Sequence, residues 1–226
     1  MENLIKSIAP NILNKINELY TSIDQTLYML FVSGSISLVL GLFFGVILVV
    51  TKDNGILKNR LLHQSLEISI NIFRSIPFVI LLAALIPVSR YIVGTSIGTI
   101  GAIVPLVVGT VPFFARQVES ALSSVDHGLI EAAKSMGSSN TGIIFRVYLK
   151  ESIPHLIRVG QITAISLIGL TAMAGAIGGG GLGDFAIRYG HQRGQTDITY
   201  VTVVVILIMV AVIQGIGNIF IKKTSH

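Results

Sequence analysis

Four long stretches of this 226-residue chain contain no Asp, Glu, Lys or Arg, and they constrain its fold more than any other feature. They are 27, 25, 25 and 24 residues long and occupy residues 25–51, 91–115, 159–183 and 198–221. Each is longer than the roughly 20 residues that a helix needs to cross a bilayer. Only 12% of the residues are charged, whereas soluble domains carry roughly 25%. The sequence therefore predicts an all-α integral membrane protein.

Residues Ile68 to Val88 form a fifth apolar stretch, which contains one charge, Arg74. Five spans make residues 25–221 one transmembrane domain, with a polar segment at 116–155 and a short tail at 222–226. The predicted transmembrane helices occupy about 26–51, 68–88, 92–115, 156–178 and 198–221.

The basic residues predict the orientation of these spans. Five spans place the two termini on opposite sides of the membrane. Ten Lys and Arg residues then lie on one side, five lie on the other, and Arg74 lies within a span. Because cytoplasmic loops carry the excess of basic residues, we expect an external N-terminus and a cytoplasmic C-terminus in the plasma membrane. The ten are Lys52, Lys58, Arg60, Arg116, Lys134, Arg146, Lys150, Arg158, Lys222 and Lys223.

The first 24 residues show apolar side chains at helical spacing and no cleavable signal peptide. This pattern predicts an external, interfacial amphipathic segment that is bent or interrupted at Pro10. Its apolar positions are Leu4, Ile8, Ile12, Ile16 and Leu19.

The polar segment contains the sequence EAAKSMGSS, Glu131 to Ser139, which is typical of a short helix ended by glycine. Asp126 can cap its start and Gly137 can end it, and Ser138 to Thr141 can cap the helix that follows. Leu129, Ala132, Ala133 and Met136 form one apolar stripe. Such a helix either enters a groove of a cytoplasmic partner or lies on its own bundle, and the pattern alone leaves both open.

The run EAAKSMGSSNTGIIFRVYLKESIP resembles the signature of binding-protein-dependent ABC importer permeases: Glu-Ala-Ala, three residues, Gly, nine residues, then Ile-x-Leu-Pro. Glu131, Ala132, Ala133, Gly137 and Leu149 match. Val147 stands at the Ile position, and Lys150 replaces the Pro. The resemblance implies the type I importer permease fold. It also implies that this segment is a coupling helix, in which the two alanines allow close approach to an ATPase, Glu131 contacts it, and Gly137 permits the turn.

Two further runs, FRSIPF (Phe73 to Phe78) and TAMAGAIGGGGLGDFAIRYGHQRGQTD (Thr171 to Asp197), are similar to the permease subunit of the methionine ABC importer. In that family two identical permeases pair with two cytoplasmic ATPases, which use ATP and Mg²⁺. An external binding protein delivers D- or L-methionine. The alternative substrates are another small amino acid or a methionine-containing dipeptide.

The glycine run GGGGLG, which includes Gly178, Gly179, Gly180 and Gly181, does not have the features of a phosphate-binding loop. No Lys-Ser or Lys-Thr pair follows it, and no strand is predicted before it. The glycines instead allow the chain to leave the helix and turn near the translocation path. ATP hydrolysis is therefore expected in a partner.

Three side chains in or near the spans are candidates for contact with the path. Arg74 either snorkels or pairs at the cytoplasmic mouth, or it contacts substrate. Thr171 and Met173 lie in the outer half of the fourth span. Met173 projects from a backbone of small residues, so two copies that meet at a dimer axis would form a gate. The alternative is that Met173 only packs against neighbouring helices.

Other functional classes lack the residues they require. The chain has no Cys, and its five His residues show no metal-ligand spacing, so no metal or cofactor site is expected. The basic residues flank spans instead of forming a stripe, which indicates that they set the orientation of the spans among membrane lipids and do not bind nucleic acid. A membrane-embedded enzyme would need polar catalytic groups within the spans, which offer only hydroxyls and amides apart from Arg74. A self-sufficient channel would not need a cytoplasmic docking helix.

Overall fold

Every regular element in residues 10–224, the part of the chain that the computed structural model describes, is helical. Three of the segments are π-helical turns inside longer helical stretches. The α-helices are α1 (Pro10–Leu13), α2 (Ile16–Thr51), α3 (Arg60–Ser75), α4 (Phe78–Ala84), α5 (Ile86–Val93), α6 (Gly98–Ser123), α7 (His127–Ser135), α8 (Asn140–Ile143), α9 (Leu149–Glu151), α10 (Ile153–Ala174), α11 (Gly181–Phe185) and α12 (Thr196–Thr224), and the π-turns are π1 (Ile144–Tyr148), π2 (Gly175–Gly179) and π3 (Ala186–His191).

Four helical stretches within residues 10–224 are long and apolar enough to cross a bilayer. A fifth crossing is present if α3 and α4, which meet at an angle of 102°, together form one broken span. The four are α2, α6, α10 with π2, and α12.

The range predicted as the second span, 68–88, does not form one continuous helix. It begins inside α3, passes a break at Ile76 and Pro77, and continues through α4 into α5. The proline ring disfavours the helical conformation for the residue before it, and Ile76 is extended with φ −83° and ψ 123°. Arg74 therefore lies in the last turn of an amphipathic helix that ends before the break.

The third predicted span also differs from its predicted bounds of 92–115. α6 begins at Gly98 and continues to Ser123, so it includes Arg116 and Glu119, which were assigned to the polar segment. The Arg116 guanidinium pairs with Glu119 at 2.7 Å and with Glu67 of α3 at 3.0 Å. These ion pairs neutralise the arginine where the helix leaves its apolar part, and they tie α3 to α6.

The N-terminal segment was predicted to lie at the membrane surface, and Leu4 and Ile8 are outside the described residues. Pro10 begins α1 instead of interrupting a helix. Ile12 and Leu19 are 4% and 6% exposed, because they pack in an apolar cluster of this chain. The interfacial location of the segment stays a prediction. In addition, α2 runs through the predicted boundary at residue 24 without a break.

Two compact units are built from alternating parts of the chain. Unit 1 contains the residues up to Ser35, Pro77–Val107 and Ala164–Ile213. Unit 2 contains Ile36–Ile76, Val108–Thr163 and the residues from Gln214 onward. The main apolar cluster of unit 2, here called the unit 2 core, consists of Val49, Phe114, Val118, Leu122, Ile130, Ala133, Ile143 and Tyr148.

Small residues in α2 allow α6 to approach closely within unit 2. A Cβ atom added to Gly41 would lie 2.6 Å from Cδ1 of Phe114, and one added to Gly45 would lie 2.6 Å from Cβ of Val118. These distances are far below van der Waals contact, so no larger residue fits without moving α6. Glycines four residues apart on α2 therefore form the face on which α6 packs closely.

Candidate coupling helix and glycine hairpin

Side-chain and backbone caps define both ends of α7, the helix that carries Glu131, Ala132 and Ala133. The carboxylate of Asp126 accepts a hydrogen bond from the Gly128 N–H at 2.6 Å. At the other end Gly137 has φ +77°, and the N–H groups of Gly137 and Ser138 donate to the carbonyls of Lys134 and Ala133. This pair of bonds is the Schellman motif, which requires a left-handed residue and therefore favours glycine. The predicted cap and the predicted glycine stop are both confirmed.

The inner face of α7 is part of the unit 2 core. Ile130 and Ala133, which lie three residues apart, are 4% and 6% exposed. They pack in the same cluster as Val49 of α2 and Leu122 of α6. The prediction that Ala133 belongs to the stripe that enters a partner's groove is therefore wrong. A helix with apolar residues on two faces gives no local sign of which face is inside.

The outer face of α7 is apolar as well, and it is exposed. Leu129 is 48% exposed and Met136 is 79% exposed, and Ala132 lies between them on the same face. The carboxylate of Glu131 is 3.6 Å from Nε2 of His127 one turn earlier, and its side chain is 69% exposed. We call Leu129, Ala132 and Met136 the outer face; it can meet a partner while the inner face stays packed.

The segment after α7 anchors it to α6. Ser139 caps α8 by accepting from the Gly142 N–H at 3.2 Å, as predicted for this region. Tyr148 at the end of π1 is 4% exposed in the unit 2 core, and burial raises the pKa of its phenol. The helical course then breaks at Ser152, whose buried hydroxyl donates to the Ala121 carbonyl at 3.3 Å. The bend therefore occurs two residues after Lys150, the residue that replaces the signature proline.

The glycine run forms a tight helical hairpin between α10 and α11. Gly178, Gly180 and Gly181 have φ values of +97°, +76° and +75°, which side-chain-bearing residues rarely adopt. The two arms touch through their backbones, since a Cβ on Gly183 would lie 2.1 Å from the carbonyl oxygen of Ala172. The predicted exit from the helix is confirmed, and the glycines serve backbone contact within the chain.

Two polar residues of α2, which the sequence did not single out, hold this hairpin. Oε1 of Gln25 accepts from the Gly181 N–H at 2.7 Å, and Oγ1 of Thr26 accepts from the Leu182 N–H at 2.9 Å. These N–H groups open α11, where no intrahelical acceptor is available. The partners are 156 residues apart, so no local pattern reveals the contact.

Met173 and Thr171 lie on different sides of α10. Met173 is 40% exposed, and Ile177, one turn later, is 51% exposed. Thr171 is 1% exposed and its hydroxyl donates to the Ile168 carbonyl at 2.7 Å. This burial contradicts the prediction that Thr171 lines a path.

Arg74 is an exposed residue at the end of α3. The cationic side chain lies near the carbonyl end of the helix, where the helix dipole favours positive charge. Arg74 and α7 belong to unit 2, and Met173 belongs to unit 1.

Within residues 10–224 no group of three or more His, Cys, Asp or Glu side chains is arranged to hold a metal ion.

Comparison with known proteins places the chain beside transporter subunits. Residues 37–226 match the family described as binding-protein-dependent transport system inner membrane component. The chain is 48% identical over 208 residues to the probable D-methionine transport system permease protein MetI of Vibrio cholerae, covering 92% of each chain. It is 45% identical over 216 residues to the methionine import system permease protein MetP of Bacillus subtilis, covering 96% of each. A solved structure of the MetNI methionine ABC transporter in an inward-facing conformation superposes with a TM-score of 0.92, at 42% identity over 94% of this chain and 99% of that one.

Proposed function

Because the chain belongs to the binding-protein-dependent transport system inner membrane component family, we propose that it is the permease subunit of an ATP-driven methionine importer. It is an all-α, multi-pass membrane protein with the type I ABC importer permease fold, and it is a transport subunit, not an enzyme. The observation that supports methionine most strongly is the similarity, over nearly the whole chain, to methionine permeases of Vibrio cholerae and Bacillus subtilis.

The proposed assembly contains two copies of this chain and two cytoplasmic ATPase subunits, which bind ATP and Mg²⁺. An external binding protein delivers the substrate to the paired permeases. The likeness to the MetNI structure supports the ATPase and the paired permeases. Membrane lipids surround the spans, and α12 is suited to them or to a second copy because only 6% of its apolar window is buried.

In this assembly α7 is proposed as the coupling helix, with its outer face in the cleft of the ATPase. Leu129, Ala132 and Met136 supply an exposed apolar surface, and Glu131 lies at its edge with a largely exposed carboxylate. The inner face of α7 is packed against α2 and α6 in the unit 2 core. Movement of the ATPase cleft is therefore passed to two membrane-spanning helices as rigid-body motion.

Met173 is proposed as part of an external gate, closed by the two copies of the side chain at the dimer axis. Its exposure beside Ile177, next to the glycine hairpin, supports this role. The contact of two thioether chains is worth on the order of a few kcal/mol, which ATP-driven movement can overcome.

The orientation follows from the excess of basic residues, with α7 and the C-terminus in the cytoplasm. The chain has no native cysteine, so labelling of Ser138→Cys or Gln192→Cys shows on which side of the membrane that residue lies. In intact cells an impermeant maleimide should label Gln192→Cys alone. Labelling of both positions from outside would contradict five spans with a cytoplasmic α7.

Uptake by proteoliposomes tests the function directly. The permease is reconstituted with its ATPase and its binding protein, and radiolabelled L- and D-methionine are offered with MgATP inside the vesicles. We expect uptake that needs both ATP and the binding protein. Competition by a panel of small amino acids and methionine dipeptides identifies the substrate. Uptake of a different amino acid without uptake of methionine would contradict methionine as the substrate. Uptake without the ATPase would contradict the assignment as an ATP-driven importer.

A further inference from the structure

A basic groove lies in unit 2 between α9, the start of α10 and the end of α12. Its volume is about 690 Å³, within the roughly 300–1,000 Å³ that small-molecule sites occupy. Three cations line it, from Lys150, Arg158 and Lys223, together with His155 and one carboxylate, Glu151. With the histidine neutral, three positive charges against one negative charge leave a net charge of +2.

The groove combines this charge with an apolar border. Ile153, Pro154 and Ile221 also line it. On α12, which extends away from the groove into its apolar part, Ile216, Ile219 and Phe220 are each more than half exposed. The groove therefore presents cations at the ends of two membrane-spanning helices and an apolar surface beside them.

We propose that this groove binds the phosphate headgroup of an anionic phospholipid, with the acyl chains along α12. A phosphate diester supplies the negative charge that the groove lacks, and the location at two helix ends matches the depth of lipid headgroups. A soluble phosphate would use the same cations but would gain nothing from the exposed side chains of α12. With the orientation proposed above the lipid belongs to the cytoplasmic leaflet, where basic residues bind anionic lipids.

A quenching experiment on the full transporter tests the proposal. Ile219→Cys, carrying a bimane label, reports lipid contact on α12, and the chain has no native cysteine to compete for the label. The complex with its ATPase is placed in nanodiscs of phosphatidylcholine containing increasing brominated phosphatidylglycerol, or brominated phosphatidylcholine as the comparison. Nanodiscs expose both leaflets to the same lipid mixture, so the result depends on neither the proposed orientation nor the proposed substrate.

We expect quenching at a lower fraction of brominated phosphatidylglycerol than of brominated phosphatidylcholine. Each cation near an anionic surface contributes roughly a five-fold preference. The triple variant Lys150→Gln, Arg158→Gln, Lys223→Gln should lose on the order of ten-fold or more of that preference. The charge-preserving variant Lys150→Arg, Arg158→Lys, Lys223→Arg should keep it, which separates loss of charge from misfolding.

The matched control removes three cations elsewhere on the same side, as Lys52→Gln, Lys58→Gln and Arg60→Gln. An equal loss in the control variant would mean diffuse attraction and would overturn the site. Equal quenching by the two lipids in the labelled chain that keeps all three cations would overturn the site as well. Relief of quenching by soluble glycerol phosphate, at the concentration of the brominated lipid, would overturn the lipid as occupant.

Discussion

Thr26 allows the attachment of the glycine hairpin to be tested with almost no change in shape. The Leu182 N–H donates to its hydroxyl at 2.9 Å, and both residues are at most 2% exposed. Valine has the same shape as threonine and no acceptor. In Thr26→Val the Leu182 N–H is therefore left without a partner where water does not reach. An unsatisfied buried donor costs roughly 1–3 kcal/mol in the free energy of unfolding.

Thr202 provides the matched control for this substitution. Its hydroxyl donates to the Ile198 carbonyl at 2.8 Å, as the Thr26 hydroxyl donates to the Ser22 carbonyl at 2.9 Å. Thr202 is 1% exposed, but among the described residues no backbone N–H donates to its hydroxyl. Thr202→Val removes one bond to a carbonyl that the helix already uses, so it should cost at most about 1 kcal/mol.

Thermal unfolding of the purified complex in detergent measures the difference. For a chain of this size 1 kcal/mol corresponds to about 2–4 °C in Tm. A difference of roughly 1–2 kcal/mol between the variants therefore puts the Tm of Thr26→Val about 2–8 °C below that of Thr202→Val. Thr26→Ser keeps the acceptor and should remain close to the native Tm. If Thr26→Val and Thr202→Val unfold at the same temperature, the hydroxyl does not hold the hairpin.

Three further substitutions test the other features. Ala132→Arg should leave Tm unchanged and abolish co-purification of the ATPase. Ala133→Arg should lower Tm sharply, because an unpaired charge in the unit 2 core costs several kcal/mol. The opposite pattern would mean that Ala133 faces the ATPase and Ala132 is buried. Met173→Cys should crosslink across the dimer at rest and less with nucleotide trapped, and Met173→Ala should raise ATP-independent leak. If Met173→Cys forms no crosslink in any state and Met173→Ala transports normally, Met173 is not part of a gate and only packs. Gly45→Ala places a Cβ 2.6 Å from Cβ of Val118 and should lower the free energy of unfolding by about 1–3 kcal/mol. Gly34→Ala, whose Cβ would lie 3.4 Å from Cδ2 of Leu167, should have little effect on Tm.

Features that depend on neighbouring residues in the chain were predictable from sequence. The Asp126 cap and the Gly137 stop involve backbone groups a few residues away, so the residue types alone indicate them. The close approach at Gly41 and Gly45 was also predictable, because glycines four residues apart leave one side of a helix without side chains. The break before Pro77 had a local signal too, but an apolar stretch of spanning length outweighed it.

Features that depend on the fold were not predictable in this way. Ala132 and Ala133 are adjacent and identical, and only the packing of α2 and α6 decides which one is buried. The bonds from Gln25 and Thr26 to the hairpin join residues 156 positions apart, and neither residue type is unusual at the start of a span. Thr171 looked polar enough to face a path, yet its hydroxyl bonds to its own helix.

The two faces of α7 place different limits on sequence change. Substitutions at Ile130 and Ala133 must suit the interior of this chain, whereas those at Leu129, Ala132 and Met136, on the docking proposed above, need only suit the ATPase. An exchange of the three outer residues alone, taken from another importer, should therefore redirect the permease to that importer's ATPase. Partner choice can diverge during evolution at these positions while the membrane domain keeps its packing unaltered.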